Sequence, residues 1–311
     1  MAKLADEASF ESDHRVISHN RAQRTIERSK NVTGVGFLSG ADIRMRFLPA
    51  PPDHGIAFQR IDLPGTNPIP ARIENVIPQS RRTIIEQDGV RVELIEHVMA
   101  ALAGLRIDNC LVQLNAYEPP GCDGSSRLFA DTLLDAGVVE QDQPRRVLQL
   151  AAPVTVTDPR SGAQIQARPV KQPVLAITYQ LDYGPRSPIV PQTLTVEITP
   201  KSFLFELSFA RTFVLEQEAE ALRKAGYGTR TTARDLLVFG DNGVIDNELR
   251  VADECVRHKI LDCLGDFALI GCDLFGHFSA QRSGHVLNQD VVREIARAQL
   301  GAADDAPPVA A

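Results

Sequence analysis

The sequence predicts an α+β fold of two halves that meet face to face, and three observations carry that expectation. The chain has 311 residues, enough for one large domain or two of about 150. Strand-like alternation opens each half, in Ile43, Met45 and Phe47 and again in Val154 and Val156. Each half then carries one strong helix after a strand, and the two helices are alike. His97 and Gly104 fall seven apart in the first, as do His258 and Gly265 in the second. The shared setting points to an internal duplication.

Taken in order, residues 1–20 are polar and read as a flexible tail. A glycine run at Gly34, Gly36 and Gly40 has the wrong spacing for a dinucleotide fingerprint or a phosphate loop, and a strand follows it instead of a helix. Val90, Val92 and Leu94 alternate as a strand leading into a helix over 96–104. Residues 141–146, with Pro144, are the least apolar internal stretch and mark the boundary between a first domain, 21–143, and a second, 144–300. In the second, Thr199 and Pro200 read as N-cap and first helical residue of a helix running to Phe209. Asp241, Asn242 and Gly243 form a turn. Leu249 and Val251 lead as a strand through Asp253, an N-cap, into the second strong helix. Asn288 caps a final helix that buries Val291, Ile295 and Ala298, and residues 301–311 form a second flexible tail.

Composition excludes several classes. Net charge is −7, with no basic stripe, so nucleic acid is not an expected partner. The most apolar stretch, 260–275, is broken by Asp262, Asp266 and Asp273, which rules out a transmembrane helix there. Glu7, Glu11, Asp13 and Arg15 interrupt any apolar core of a signal peptide. Five cysteines without a C-x-x-C pair argue against a disulfide framework and a thiolate zinc cluster. The expectation is a cytoplasmic protein with reduced thiols, acting as a monomer on a small molecule.

Of seven histidines, His14, His19 and His54 lie in polar or proline-rich segments and read as solvated. On a helical wheel from Val256, the apolar residues Ile260, Cys263, Leu264 and Phe267 share one face within about 100°. His258, Asp262 and Asp266 form a separate stripe near 200–280°. Two readings fit that stripe. It is a solvated face with an i, i+4 ion pair, or a metal pair in which imidazole and carboxylate reach one ion, with Asp266 behind them. Glu96 and His97 are neighbours and diverge by about 100° within a helix, but at its first turn they can serve one site. A carboxylate beside a ligating imidazole is how a metallohydrolase places a general base. The alternative is a glutamate favoured by the helix dipole.

Six segments in register resemble a known family, the zinc-dependent UDP-3-O-acyl-N-acetylglucosamine deacetylases of lipid A biosynthesis. They are Val32-Thr33-Gly34-Val35-Gly36, the stretch 95–109 containing Glu96-His97, Asp123-Gly124-Ser125, Ala210-Arg211-Thr212-Phe213, the stretch 256–262 containing His258-Lys259, and Ser283-Gly284-His285-Val286-Leu287-Asn288. The resemblance spans nearly the whole chain and implies two α+β halves with helices sandwiched between their sheets. It implies Zn2+ as cofactor, held by His97, His258 and Asp262, and Glu96 as general base. His285 matches the protonated histidine that stabilises the oxyanion and protonates the leaving amine, and Asp266 the partner that keeps it charged. Thr212 matches a hydroxyl donor to the oxyanion, while Lys259, Phe213 and Asp123 match substrate-binding positions for a UDP-acyl-amino-sugar.

The sequence departs from the family at Leu38, where a histidine is usual, at the basic Ser80-Arg81-Arg82, at Val214-Leu215, and over 228–234. None of these touches the metal set; all fall where sugar, nucleotide or acyl chain would lie. Two alternatives stay open: a zinc deacetylase of a related N-acetylated amino sugar, and a non-catalytic zinc-holding carbohydrate binder, against which Glu96 and His285 argue.

Overall fold

A computed structural model describes residues 16–303, with side-chain environments over 21–298. The first part of the chain runs β1 (Val16–Ile26), β2 (Lys30–Val35), β3 (Asp42–Pro49), β4 (Ile56–Arg60), β5 (Ile69–Pro70) and β6 (Val76–Ile77). It continues through β7 (Ile84–Gln87), β8 (Val90–Glu93), α1 (Glu96–Gly104), β9 (Cys110–Leu114), α2 (Arg127–Asp135) and β10 (Val138–Gln149). Then come β11 (Val154–Thr157), β12 (Gln164–Arg168), β13 (Leu175–Leu181), β14 (Gln192–Glu197) and the short α3 (Pro200–Ser202), which passes into a π turn over Phe203–Leu207. The chain ends in β15 (Phe213–Leu215), α4 (Glu216–Lys224), β16 (Leu237–Gly240), β17 (Gly243–Val244), α5 (Glu254–Phe267), β18 (Asp273–Gln281) and α6 (His285–Ala303).

The class is α+β, as the sequence predicts. One sheet has the order β2-β3-β9-β4-β5; the largest joins β1, β10, β18, β12 and β11, with β13 on β18 and β14 on β13. α1, α2, α5 and α6 pack among these sheets, while α4 lies on the small sheet of β15 and β16. α2 packs on β2 and α1, α1 packs on α5, α5 packs on β13, and α6 lies against α5, β11 and β12. Alternation produces the strand faces: β3 buries Ile43, Met45 and Phe47 and leaves Asp42, Arg44 and Arg46 outside. α5 has no solvated side. Its apolar face packs into the core, and His258, Asp262 and Asp266 are buried too.

β1 and β10 form a long antiparallel ribbon, and the end of β10 turns into the large sheet by pairing parallel with β18. Beside it Arg21 holds Asp108 at 2.8 Å and Asp273 at 2.9 Å, and Arg145 holds the same two carboxylates at 2.9 and 3.1 Å. The network ties β1 and β10 to the loop before β9 and to the first residue of β18.

Several local expectations are corrected. Residues 16–20 belong to β1, so a loose tail does not extend to residue 20; residues 1–15 lie outside the described residues. Likewise 301–303 belong to α6, and 304–311 lie outside. The polar stretch 141–146 sits inside β10, where an exposed two-stranded ribbon tolerates polar side chains on both faces. Leu249 and Val251 form no strand, so the second helix enters from irregular chain. Asn288 lies within α6, which starts at His285, and its side chain is buried away from any capping position. Thr199 does cap α3, accepting the Ser202 amide at 3.0 Å, but the π turn ends the helical run at Leu207 instead of Phe209. Asp253 precedes α5 without a side-chain cap, its carboxylate bound instead to Arg257 at 2.8 Å.

Candidate metal centre and active site

The site forms where the start of α1 meets the middle of α5. The β7–β8 hairpin delivers the chain to Leu94, whose φ of +57° is the left-handed region, and α1 begins two residues later. That abrupt turn puts Glu96 and His97 in the first helical turn, where both can face the cleft. Gly265 lets the two helices touch: a Cβ there would lie 2.2 Å from the Glu96 carbonyl oxygen.

His97, His258 and Asp262 come together with their ligand atoms within 4.8 Å of one another. His258 Nε2 is 3.3 Å and His97 Nε2 is 3.6 Å from Asp262 Oδ1. A tetrahedral ion with bonds of 2.0–2.1 Å separates its ligands by about 3.3 Å. The donor set is also in the right state. His258 Nδ1 lies 3.1 Å from the Ala210 carbonyl, which only accepts, so Nδ1 carries the proton and Nε2 keeps its lone pair. Burial pushes His258 down to about 3, against the pull of Asp262, and so the ring is neutral. Burial acts to raise the Asp262 carboxyl, but the Lys259 ammonium, 2.7 Å away, and the cationic His285 reverse this and keep it ionised. Asp262 Oδ1 is buried with no hydrogen bond, an orphan that a metal ion between these three side chains would satisfy.

Two further groups complete the centre. Glu96 is buried, accepts the Thr83 amide at 3.0 Å, and is raised above the ordinary carboxyl range chiefly by burial. His285 faces it, with Nε2 3.9 Å from Glu96 Oε1 and 3.9 Å from Asp262 Oδ2. Burial alone would depress His285, but Asp266, at 2.8 Å from Nδ1, then Glu96 and Asp262, outweigh it and raise the imidazole to about 9. His285 is therefore a cation near neutral pH, beside a carboxylate that burial makes more basic.

The cleft above these groups has a volume of about 560 Å³, and Thr212, Phe213 and Lys259 line it. The Thr212 hydroxyl has no partner among the described residues, and the Phe213 ring stands edge-on to His258 with centroids 6.1 Å apart. Asp123 is not brought to this cleft. It accepts the Ser125 amide and hydroxyl within its own turn and pairs with Arg250 at 2.7 Å. Of the basic residues in the divergent segments, Arg81 lines the cleft and bridges to Glu218 at 2.6 Å, whereas Arg82 pairs with Glu93 and Arg230 with Asp42. A smaller cavity, about 190 Å³, opens at the far ends of α1 and α5 over Met99, Leu102 and Phe267 and contains none of the centre's groups.

Sequence reasoning missed Thr83 and Gln289, and read Asn288 as a helix cap. Thr83 donates to Asp266 at 2.5 Å, Asn288 donates to Asp266 at 2.8 Å, and Gln289 donates to Thr83 at 3.2 Å. Only the spacing of Asn288 and Gln289 just after His285 offered any signal.

An α+β fold whose central helices present two histidines and an aspartate, with a buried carboxylate and a buried imidazolium beside them, has the makeup of a hydrolytic metal centre. Comparison with known proteins agrees. The family model described as LpxC: UDP-3-O-acyl N-acetylglycosamine deacetylase matches residues 23–297. The chain is 37% identical over 275 residues to the UDP-3-O-acyl-N-acetylglucosamine deacetylase of Myxococcus xanthus, covering 88% of this chain and 86% of that protein. It is 38% identical over 278 residues to the same-named protein of Chromobacterium violaceum, covering 88% and 90%. That of Neisseria gonorrhoeae is 37% identical over 277 residues, covering 88% and 89%. The chain belongs to the UDP-3-O-acyl-N-acetylglucosamine deacetylase family, as its six motifs led one to expect.

Proposed function

We propose that this chain is a zinc-dependent deacetylase that removes the N-acetyl group of UDP-3-O-acyl-N-acetylglucosamine, releasing acetate, in lipid A biosynthesis. The observation that carries the reading is the buried His97–His258–Asp262 set, with its orphaned Asp262 oxygen, beside Glu96 and His285. The neutral His258 ring and the ionised Asp262 suit zinc, and names of relatives supply the substrate. Bound there, zinc supplies Lewis acidity, making water a stronger acid at neutral pH and drawing charge from an amide carbonyl.

The chain's own residues do the rest. Glu96 takes a proton from the water that attacks the acetyl carbon. The Thr212 hydroxyl and cationic His285 donate to the carbonyl oxygen as negative charge grows on it. His285 then gives its Nε2 proton to the sugar nitrogen as the C–N bond breaks, so the amine leaves neutral. Asp266 holds that ring in place and charged. Lys259 and Phe213, on the cleft wall, contact the substrate. Among the described residues no helix is long and apolar enough to cross a membrane. The enzyme so proposed is a monomer acting in the cytoplasm on a small-molecule UDP-acyl-amino-sugar.

The test offers zinc-loaded protein two compounds, UDP-3-O-acyl-N-acetylglucosamine and UDP-N-acetylglucosamine, and assays released acetate. Rapid release from the first alone is the expected result. Efficient release from the second points to a related amino sugar, and release from neither, with zinc bound, overturns the reading in favour of a deacetylase of another N-acetylated amino sugar or of a binder.

A further inference from the structure

We infer that Thr83 is a positioning residue that couples the base to the acid of the deacetylation reaction, an inference that rests on the function proposed above. Thr83 is 1% exposed and lies immediately before β7. The hairpin it opens leads directly to α1, which carries Glu96. Its backbone amide donates to Glu96 Oε2 at 3.0 Å, and its hydroxyl reaches across to α5 and meets Asp266 Oδ1 at 2.5 Å. One residue thus holds the proposed base and the carboxylate that orients the proposed acid.

The hydroxyl's direction is fixed by its neighbours. Gln289 Nε2 donates to Thr83 Oγ1 at 3.2 Å, leaving the Thr83 proton for Asp266. The opposite Gln289 orientation would claim that proton and leave two acceptor oxygens 2.5 Å apart, which is repulsive. Gln289, Thr83 and Asp266 therefore form a chain with one polarity, and such chains strengthen each member. Asp266 Oδ2 accepts from His285 Nδ1 and Asn288 Nδ2, both at 2.8 Å. Among the described residues Oδ1 has Thr83 alone. Without the hydroxyl, Oδ1 is buried and unpaired, and the carboxylate gains a reason to rotate and carry His285 with it. His285 Nδ1 lies only 3.4 Å from Thr83 Oγ1, so a rotated ring finds no equivalent acceptor there once the hydroxyl is gone.

Thr83→Val keeps the shape and the amide but removes the hydroxyl, and Thr83→Ser restores it. Assayed on UDP-3-O-acyl-N-acetylglucosamine with zinc content and thermal unfolding measured alongside, Thr83→Val should lower kcat on the order of 10–100-fold at unchanged KM and full zinc. Thr83→Ser should recover most of the loss. A readout independent of turnover is the low-field proton resonance of His285 Nδ1–H, identified by its disappearance in His285→Gln. It should shift in Thr83→Val and return in Thr83→Ser. Wild-type kcat with an unshifted resonance in Thr83→Val overturns the inference, as does a serine variant as impaired as the valine one. If the wild type releases no acetate at all, the proposed function fails, while the resonance still decides whether Thr83 positions His285.

Discussion

α1 and α5 lie side by side and deliver residues to one cleft by different means. α5, fourteen residues long, uses spacing: His258 and Asp262 are one turn apart in mid-helix and project together. α1, only nine residues long, uses its end. Glu96 and His97 are adjacent and share the cleft because the left-handed turn at Leu94 starts the helix there. A spacing-based site depends on the helix staying regular. An end-based site depends on the chain entering from one direction, and on Gly265 letting the neighbouring helix approach.

Removing a ligand from the spacing side has the largest expected effect. His258→Ala should lose most of the bound zinc by elemental analysis, and with it nearly all deacetylation; full zinc occupancy would overturn the ligand assignment. On the end side the two neighbours should separate cleanly. Glu96→Ala should cost on the order of 10²–10⁴ in kcat while zinc stays bound, whereas His97→Ala should lose zinc.

The pH dependence probes α5 further along its stripe. His285 is raised from 6.5 to about 9, so its cation is lost above about 9 and kcat/KM should fall there. Asp266→Asn removes the main charge opposing burial and should move that basic limb to lower pH; an unmoved limb would assign it to another group. The sign for stability follows from the same shift. The folded state holds a proton that the unfolded chain releases above 6.5, so the stabilisation from His285 is complete below 6.5 and lost as pH rises through about 9. Melting temperature against pH, wild type beside His285→Gln, measures it.

Gly265→Ala forces the helices apart and should destabilise by about 1–3 kcal/mol in denaturant unfolding, with kcat reduced because Glu96 moves with α1. The smallest effect belongs to the cleft rim. The Arg81–Glu218 pair is more than half exposed on the arginine side, so Arg81→Ala should cost at most about 1 kcal/mol of stability. It should raise KM at unchanged kcat, while Arg230→Ala, paired with Asp42 off the cleft lining, should leave KM alone.

The two means also differ in how far the sequence reveals them. The α5 stripe was visible on a helical wheel, but the wheel could not decide between a solvated face and a metal pair. Burial of all three residues decides against solvent. Glu96 and His97 could be joined only by knowing where the helix begins, and the strand Val90, Val92, Leu94 supplied that. No strand matching β8 forms before α5, because Leu249 and Val251 lie in irregular chain, so the two helices share a His–Gly spacing but not an entry. Thr83 was invisible because its partner Asp266 lies 183 positions away, and a lone threonine beside a strand carries no pattern. Asp123 shows the opposite case: it sits in a motif, yet it lies outside the cleft lining and bonds its own turn and Arg250.

The β1–β10 ribbon has a mechanical consequence. A clamshell motion of one sheet against the other would need a hinge, and the obvious place for one, the polar stretch 141–146, is a strand. Swinging the halves apart would also pull Arg21 and Arg145 off two carboxylates they share, Asp108 on one side and Asp273 on the other. The cleft is thus a slot with fixed jaws. The residues along its rim, Phe37 and Arg81 among them, are then the ones free to adjust without disturbing the packing of α1 on α5.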